Sequence, residues 1–366
     1  MLTTLNKPTL VSQAVTLLKR EIEAGQWPEW LPSERALSSG LRISRPTLRL
    51  ALSALQRSGL VTPVHGVGYR VRPYSRGSAA KGEPAGVDVL CPDEFVRIRH
   101  QSLLWLDELR GLLSHGHCDI RLHFGERFLC RGVNASLNRL VRQQRSDCWL
   151  LCHSSRAIQQ WFANRRANGE RLPALVIGYS FSECQLPSVT IDYEAACRHA
   201  IGTLVRKGHR KILYFRWRSP RLGDALSESA ALEAARLCRN PDVQVKVATY
   251  DRDAVDAIAN ALRRELRAHL RCTAILVDTP SAYLALATIL PSWNIKVPKD
   301  LSLVSREYDC FFEHLFPRPA CYVFTPQKLA TEAYNMIERI RSGEPLGEGT
   351  RIIPTFSPGD SVGPVS

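Results

Sequence analysis

The chain has 366 residues, 45% of them hydrophobic, and a formal net charge of +14. That length suits two or three domains with sizeable cores. A membrane protein and a disulfide scaffold are not expected: no apolar run spans a bilayer, and the eleven cysteines are scattered without a C-x-x-C motif.

The opening residues 1–9 are polar and contain Pro8, unlike a secretory signal, so a cytoplasmic location is expected. The cysteines then read as small buried apolar residues. Residues 1–76 hold eleven Lys/Arg against four Asp/Glu, so half of the basic excess sits in about a fifth of the chain. That asymmetry favours a polyanionic partner for the N-terminal part.

Leu10 to Ala24 places Val11, Ala14, Val15, Leu18 and Ile22 at helical spacing. Trp27 and Trp30 follow and are expected to pack beneath the next helices. Leu31-Pro32-Ser33 announces a second helix, Glu34 to about Ser39, with Ser33 as its cap and Gly40 at its end. Ser44 caps a third helix that carries Leu48, Leu52 and Leu55 as one buried stripe, with Arg45 and Arg49 on another face. Two helices joined by a tight turn, the second opening on arginines, form a helix-turn-helix whose second helix enters the major groove. The fork of an arginine matches guanine or phosphate, and Thr47 adds a hydroxyl and a methyl nearby. Leu60–Thr62 and Tyr69–Val71 read as short strands around the glycine-rich tip His65-Gly66-Val67-Gly68, a wing.

Leu31-Pro32-Ser33-Glu34-Arg35, Ser44-Arg45-Pro46-Thr47-Leu48-Arg49, Ala51-Leu52, Leu55, Gly59-Leu60 and the Gly66-Val67-Gly68 wing resemble the GntR family of bacterial winged-helix regulators, over roughly residues 10–72. The resemblance implies that Arg35, Ser44, Arg45, Thr47 and Arg49 meet double-stranded DNA, with His65 and Gly66 at the wing tip in the minor groove.

Residues 73–86 (PYSRGSAAKGEPAG) have the composition of a linker between a DNA-binding domain at 1–72 and a second domain at 87–366. Strands are expected at Val87–Cys91, Asp119–Phe124, Cys148–Cys152 and Ala174–Gly178, alternating with helices at Phe95–His115, Ala135–Gln144 and Ser155–Asn168. A second series follows, with strands at Lys211–Phe215, Val243–Thr249, Thr273–Asp278 and Leu301–Ser305. Its helices are Tyr193–Arg206, Ser227–Arg239, Ala254–Leu270 and Ser281–Leu290. A helix at Gln327–Arg341 and a strand at Thr350–Pro354 close the chain. Such alternation argues for an α/β fold of two similar halves, each a parallel sheet covered on both faces.

Asp192-Tyr193-Glu194-Ala195-Ala196, Gly208-His209-Arg210-Lys211-Ile212, Thr273-Ala274-Ile275-Leu276 with Ala282, and Val297-Pro298-Lys299-Asp300-Leu301-Ser302 resemble the effector domain of LacI-type regulators, related to periplasmic binding proteins. That resemblance covers roughly residues 86–360. It implies two lobes closing on a small molecule such as a sugar, and a homodimer. The chain departs from the family at the sugar-gripping positions. Ser229 and Leu232 stand where the family often has Arg and Gly. Asp278-Thr279 replaces Asn-Asp, and Ser305-Arg306-Glu307-Tyr308 replaces Gly-Phe-Asp.

Ligands of open parallel sheets bind beyond the carboxyl ends of the strands. That rule nominates Asp93, His153, Tyr179, Trp217, Arg218, Asp278, Arg306 and Glu307 for the effector. Trp217 would stack on a ring, and Arg216, Arg218 or Arg306 would fork an acid; each reads equally as a solvated loop or an interlobe salt bridge. His115, His117, Cys118 and His123 lack the spacing of a metal site. No Walker loop, dinucleotide loop or nucleophile elbow occurs, so no cofactor and no catalytic residue are expected. The leading reading is a transcription regulator whose operator affinity, as repressor or activator, follows effector binding. The alternative is a cytoplasmic solute-binding protein with a non-regulatory winged domain.

Overall fold

The computed structural model describes residues 10–23, 26–27, 29–41, 43–57, 61–64, 68–71, 86–93, 99–114, 118–125, 133–251, 254–267, 272–344 and 349–365. The chain divides into two compact units, Met1–Glu83 and Pro84–Ser366.

The first unit holds α1 (Leu10–Glu23), α2 (Glu34–Leu41), α3 (Arg45–Arg57), β1 (Val61–Val64) and β2 (Gly68–Val71). Ser33 Oγ accepts the Ala36 amide at 3.2 Å and Ser44 Oγ accepts the Thr47 amide at 3.3 Å, so both serines cap helix starts. Gly40 lies inside α2 rather than ending it. The closing bonds run instead from the Ile43 amide to Ser38 O (3.1 Å) and from Ser38 Oγ to Ile43 O (2.7 Å). Leu18 and Ile22 from α1 meet Leu37, Leu48, Leu52 and Leu55, and the strands close this core with Val61 and Val71. The two strands pair antiparallel, Val61 opposite Val71. The segment before α2 extends the ladder: Leu31 N bonds Tyr69 O at 2.9 Å and Val71 N bonds Glu29 O at 2.8 Å. Trp27 packs on the core as expected, whereas Trp30 is exposed and bridges Arg70, whose guanidinium lies 5.8 Å from the indole centroid.

The second unit contains two six-stranded sheets. In the first lobe the order is β13-β7-β6-β5-β3-β4, from β3 (Gly86–Cys91), β4 (Ile120–Phe124), β5 (Ser146–Cys152), β6 (Ala174–Ile177), β7 (Ser188–Ile191) and β13 (Thr350–Ile352). Helices α4 (His100–Ser114) and α11 (Pro326–Ser342) cover one face; α5 (Val133–Gln143) and α6 (Arg156–Ala167) cover the other. In the second lobe the order is β14-β12-β11-β10-β8-β9, from β8 (Lys211–Trp217), β9 (Gln244–Tyr250), β10 (Ala274–Val277), β11 (Ser302–Ser305), β12 (Ala320–Val323) and β14 (Thr355–Ser357). Here α7 (Tyr193–Arg206) and α8 (Leu222–Leu237) lie on one face; α9 (Val255–Arg267) and α10 (Pro280–Ser292) lie on the other. The chain crosses between lobes from β7 to α7, back from β12 to α11, and again from β13 to β14.

Three strands fall outside the expected set: β7, β12 and the second half of the final segment. Ser188–Ile191 (SVTI) and Ala320–Val323 (ACYV) lack the run of large aliphatic residues that marks the equally short β6 (ALVI) and β10 (AILV). The last strand splits because residues 350–352 pair with β7 in one lobe while 355–357 pair antiparallel with β12 in the other. Helix α8 starts at Leu222, five residues before the expected Ser227; its first turns bury the polar Asp224 and Ser227 rather than an apolar stripe. The fully buried Asp88 in β3 is held by Arg121 (2.9 and 2.6 Å) and by His123 Nε2 (2.7 Å), which is what lets a carboxylate stay inside. Of the ten described cysteines, eight are buried and all are free thiols. Among the described residues no helix is long and apolar enough to cross a membrane.

Leu52 is fully buried at the centre of the first unit's core. Leu52→Ala is expected to cost that unit about 2–5 kcal/mol. Urea denaturation followed by circular dichroism should show its transition moving to lower denaturant, while that of the two-lobed unit stays in place.

Candidate functional site

The first unit presents α3 with its leucine stripe inward, so its other side faces outward. Arg35 and Arg45 are exposed. The Arg49 side chain is 68% exposed, and its Nε donates to Glu34 Oε2 at 3.0 Å. Ser44 and Thr47 lie at the start of the same helix, their hydroxyls 2.7 Å apart. Ser44 is therefore engaged as a cap, and Thr47 is half-buried beside it. His65 and Gly66, expected at the wing tip, lie outside the described residues. Leu50 was not anticipated: at about 100° per residue it points away from the leucine stripe, and it is 60% exposed.

In the second unit the carboxyl ends of both sheets face a common cleft that encloses about 150 Å³. Arg306, immediately after β11, is its centre. The side chain is 3% exposed. One terminal nitrogen donates to Asp224 and to Glu307, each at 2.9 Å; the other reaches Tyr214 Oη at 3.2 Å. Its guanidinium lies 4.9 Å from the Tyr193 ring centroid. Burial pushes the Asp224 carboxyl up, but Arg306 and Arg221 outweigh it and bring it to about 2. Glu307 is likewise raised by burial and pulled below its ordinary range by Arg99 and Arg306.

Two ion pairs cross the cleft. Arg221, just before α8, grips Asp93 of the other lobe through both carboxylate oxygens at 2.7 and 2.8 Å. Arg99, just before α4, pairs with Glu307. His153 Nδ1 donates to Asp93 Oδ2 at 2.6 Å, and the residue holds a left-handed backbone, φ 50°. Burial and then Arg221 depress the imidazole's pKa, against the pull of Asp93, so the ring favours its neutral form. The lobes touch where Tyr179 lies on α8: a Cβ at Gly223 would stand 2.8 Å from the Tyr179 ring. Only a glycine permits that approach.

Gln101 Oε1, Tyr179 Oη and Arg306 Nε are buried and have no hydrogen-bond partner, and all three residues line the cavity. The charges around them cancel. Arg99, Arg221 and Arg306 are matched by Asp93, Asp224 and Glu307.

Of the residues nominated from sequence, His153, Tyr179, Arg306 and Glu307 line the cavity, and Asp93 stands behind His153 and Arg221. Three nominated residues do not line this cavity. Trp217 packs on the second lobe's core with Arg221 5.4 Å from its ring centroid. Arg218 is exposed and pairs with Asp251 at 2.9 Å. Asp278 is buried in the second lobe, accepting the Trp217 amide at 2.9 Å and the Tyr250 hydroxyl at 3.1 Å. Arg216, read as an anion fork, is bound to Glu228 at 2.6 Å. Sequence reasoning missed Arg99, Gln101, Arg221, Gly223 and Asp224. Arg221 to Asp224 follow the β8 carboxyl end, so the same strand-end rule carried a few residues further would have reached them. Cys118 accepts from Arg341 at 2.7 Å and His123 is bound to Asp88; His115 and His117 lie outside the described residues.

Two family models match the chain: bacterial regulatory proteins of the gntR family over residues 10–71, and the periplasmic binding protein-like domain over residues 201–362. The chain is a transcription regulator that joins a gntR-type DNA-binding domain to a second unit of the LacI-type fold. No curated protein matches the regulator. Among solved structures it is similar to a LacI family regulator from Bifidobacterium animalis (17% identity, TM-score 0.66), covering 76% of this chain and 98% of that one. It is also similar to a probable maltose operon repressor from Staphylococcus aureus (16%, TM-score 0.64, 75% and 96%). A third is a LacI family regulator from Enterococcus faecium with bound ribose (16%, TM-score 0.62, 77% and 100%).

Burial pushes the regulator's Asp278 carboxyl up from 3.8 to about 6, with Arg306 pulling the other way. The folded state therefore holds this proton more tightly than the unfolded chain. The resulting stabilisation is complete below the unfolded value and fades as pH rises from 3.8 through about 6. Asp278→Asn lacks that slope, so its melting temperature should climb relative to the parent's between pH 4 and pH 7 in differential scanning fluorimetry. Curves that stay parallel would refute the assignment.

Proposed function

We propose that the regulator binds a small, uncharged, polyhydroxylated molecule of sugar size between its lobes, and that this controls its grip on operator DNA. The observation that carries the effector reading is the set of unpartnered buried atoms on Gln101, Tyr179 and Arg306 inside a charge-balanced cavity. Buried polar groups are almost always hydrogen-bonded, so three orphans in one cavity call for a ligand that supplies both donors and acceptors. A free carboxylate or phosphate suits the site poorly, since each arginine already holds a carboxylate. Like-folded regulators with bound ribose support a sugar.

On the DNA side, the domain is assigned to residues 1–72, joined through 73–86 to the effector domain at 87–366. Arg35, Arg45 and Arg49 are placed against bases or phosphates, Ser44 and Thr47 at the helix start, and His65 and Gly66 at the wing tip. The exposed Leu50 suits a thymine methyl. A homodimer acting in the cytoplasm would set two such units on a pseudo-palindromic operator. Lobe closure would then shift operator affinity by about 1–3 kcal/mol.

Arg45→Ala and Arg49→Ala should each weaken operator binding by about 1–3 kcal/mol in gel shifts at fixed salt. Unchanged affinity would instead favour a solute-binding protein. For the effector, a thermal-shift screen of neutral pentoses and hexoses should find one that stabilises by about 2.7 kcal/mol at a hundredfold excess over its Kd. Tyr179→Phe and Gln101→Ala should each abolish that shift. A shift given only by acidic ligands would overturn the proposed chemistry.

A further inference from the structure

We infer that Cys91, Asp93 and His153 form a binding site for a thiophilic divalent cation of the zinc class, at the rim of the cleft in the first lobe. The three donors come from the carboxyl ends of the adjacent strands β3 and β5. Their sulfur, oxygen and nitrogen all lie within 4.8 Å of one another. Cys91 Sγ stands 4.0 Å, and Asp93 Oδ2 2.6 Å, from the same His153 nitrogen, Nδ1. That convergence is informative. A catalytic relay places its thiol and its carboxylate on opposite imidazole nitrogens. Here both face one nitrogen, so the donors surround a point rather than form a chain. Burial, followed by the charge of Asp93, also pushes the Cys91 thiol up to about 12, so it is no free nucleophile.

Metal bonds of about 2.0–2.3 Å in a tetrahedron put donor atoms roughly 3.3–3.7 Å apart, so shifts under about 1 Å bring these three to that spacing. Mixed thiolate, imidazole and carboxylate donors select the zinc class over magnesium or calcium. On binding, His153 takes the tautomer with its proton on Nε2, and the Cys91 thiol releases its proton to solvent. Three protein donors leave a fourth position open towards the cleft. His153 holds a left-handed backbone, φ 50°, at the turn that follows β5. Access is through the cleft, where the side chains of His153 and Asp93 keep 28% and 18% of their exposure.

Asp93 is also the acceptor for Arg221 of the opposite lobe. A cation on Asp93 and His153 would compete with the guanidinium for the same carboxylate and repel it. Occupancy therefore favours open lobes, opposite in sense to a ligand that closes them. The cation site itself rests on these three side chains alone, independently of any sugar reading.

Cobalt(II) titrated into the full-length, reduced protein is the direct probe. A thiolate-to-cobalt charge-transfer band with tetrahedral visible bands is expected, saturating at one ion per chain and displaced by zinc. Cys91→Ser should lose the charge-transfer band and Asp93→Asn should weaken binding at least tenfold, each with the parent's circular dichroism. Cys310→Ser, at an exposed cysteine, should leave the spectrum unchanged. Arg221→Ala should tighten cobalt binding about tenfold by removing the competitor. No band, or a band that survives in Cys91→Ser or vanishes in Cys310→Ser, overturns the site. Equal affinity in Arg221→Ala overturns its opposition to closure.

Discussion

The second unit depends on the burial of one guanidinium. Arg306 cannot shed its charge, and at 3% exposure water does not solvate it, so it requires carboxylates nearby. Asp224 and Glu307 supply them, both from the same lobe. That pair of acids leaves an excess of negative charge, and the excess is met from across the cleft by Arg99. The closed arrangement of the lobes thus follows from charge neutrality around one side chain. Arg221 and Asp93 repeat the logic at the rim, with the acid now on the first lobe.

The residues of this arrangement differ from those the resemblance to the LacI-type family led one to expect. Ser229 and Leu232 occupy the positions where the family often carries Arg and Gly. The buried cationic side chain of the cleft, Arg306, stands at the end of β11, and Asp224 in the first turn of α8 accepts from it. Anchoring both ends of the pair on strand and helix termini keeps the guanidinium fixed before any ligand arrives, which limits the entropy lost on binding.

Most of the architecture was readable from the chain. The leucine stripe of α3 and the serine caps were visible because their periods and offsets are local. The long strands of both lobes were visible as continuous apolar runs. Two kinds of feature were not. The short strands β7, β12 and β14 were hidden because they lack the run of large aliphatic residues that marked β6 and β10, which are no longer than β7 and β12. The first turns of α8 bury Asp224 and Ser227 rather than an apolar stripe, and that concealed Arg221, Gly223 and Asp224. Trp217, Arg218 and Asp278 stand at strand ends as the rule requires, but Trp217 and Asp278 turn into the lobe and Arg218 out to solvent. The pairs that line the cleft join residues more than eighty positions apart, as with Arg221 and Asp93, Arg99 and Glu307, and Arg306 and Asp224. No local pattern encodes that.

The orphan atoms bear on how such a cleft can act as a switch. A ligand shifts a conformational equilibrium only by the difference in its affinity for the two states. Gln101 comes from the first lobe and Arg306 from the second, and each is sealed from solvent with the lobes together. With the lobes apart, water can serve both atoms, so a ligand gains little there. With the lobes together, the same ligand meets atoms that would otherwise be left unbonded, each of which costs about 1–3 kcal/mol. Three such atoms give a preference of the order of the ~5.5 kcal/mol needed to take a population from about 1:99 to 99:1. The lobe-crossing ion pairs work in the same direction without a ligand, so the unliganded equilibrium is already biased and a smaller difference completes the change. A fully satisfied cleft would hold the lobes just as firmly, but it would leave a ligand nothing to add.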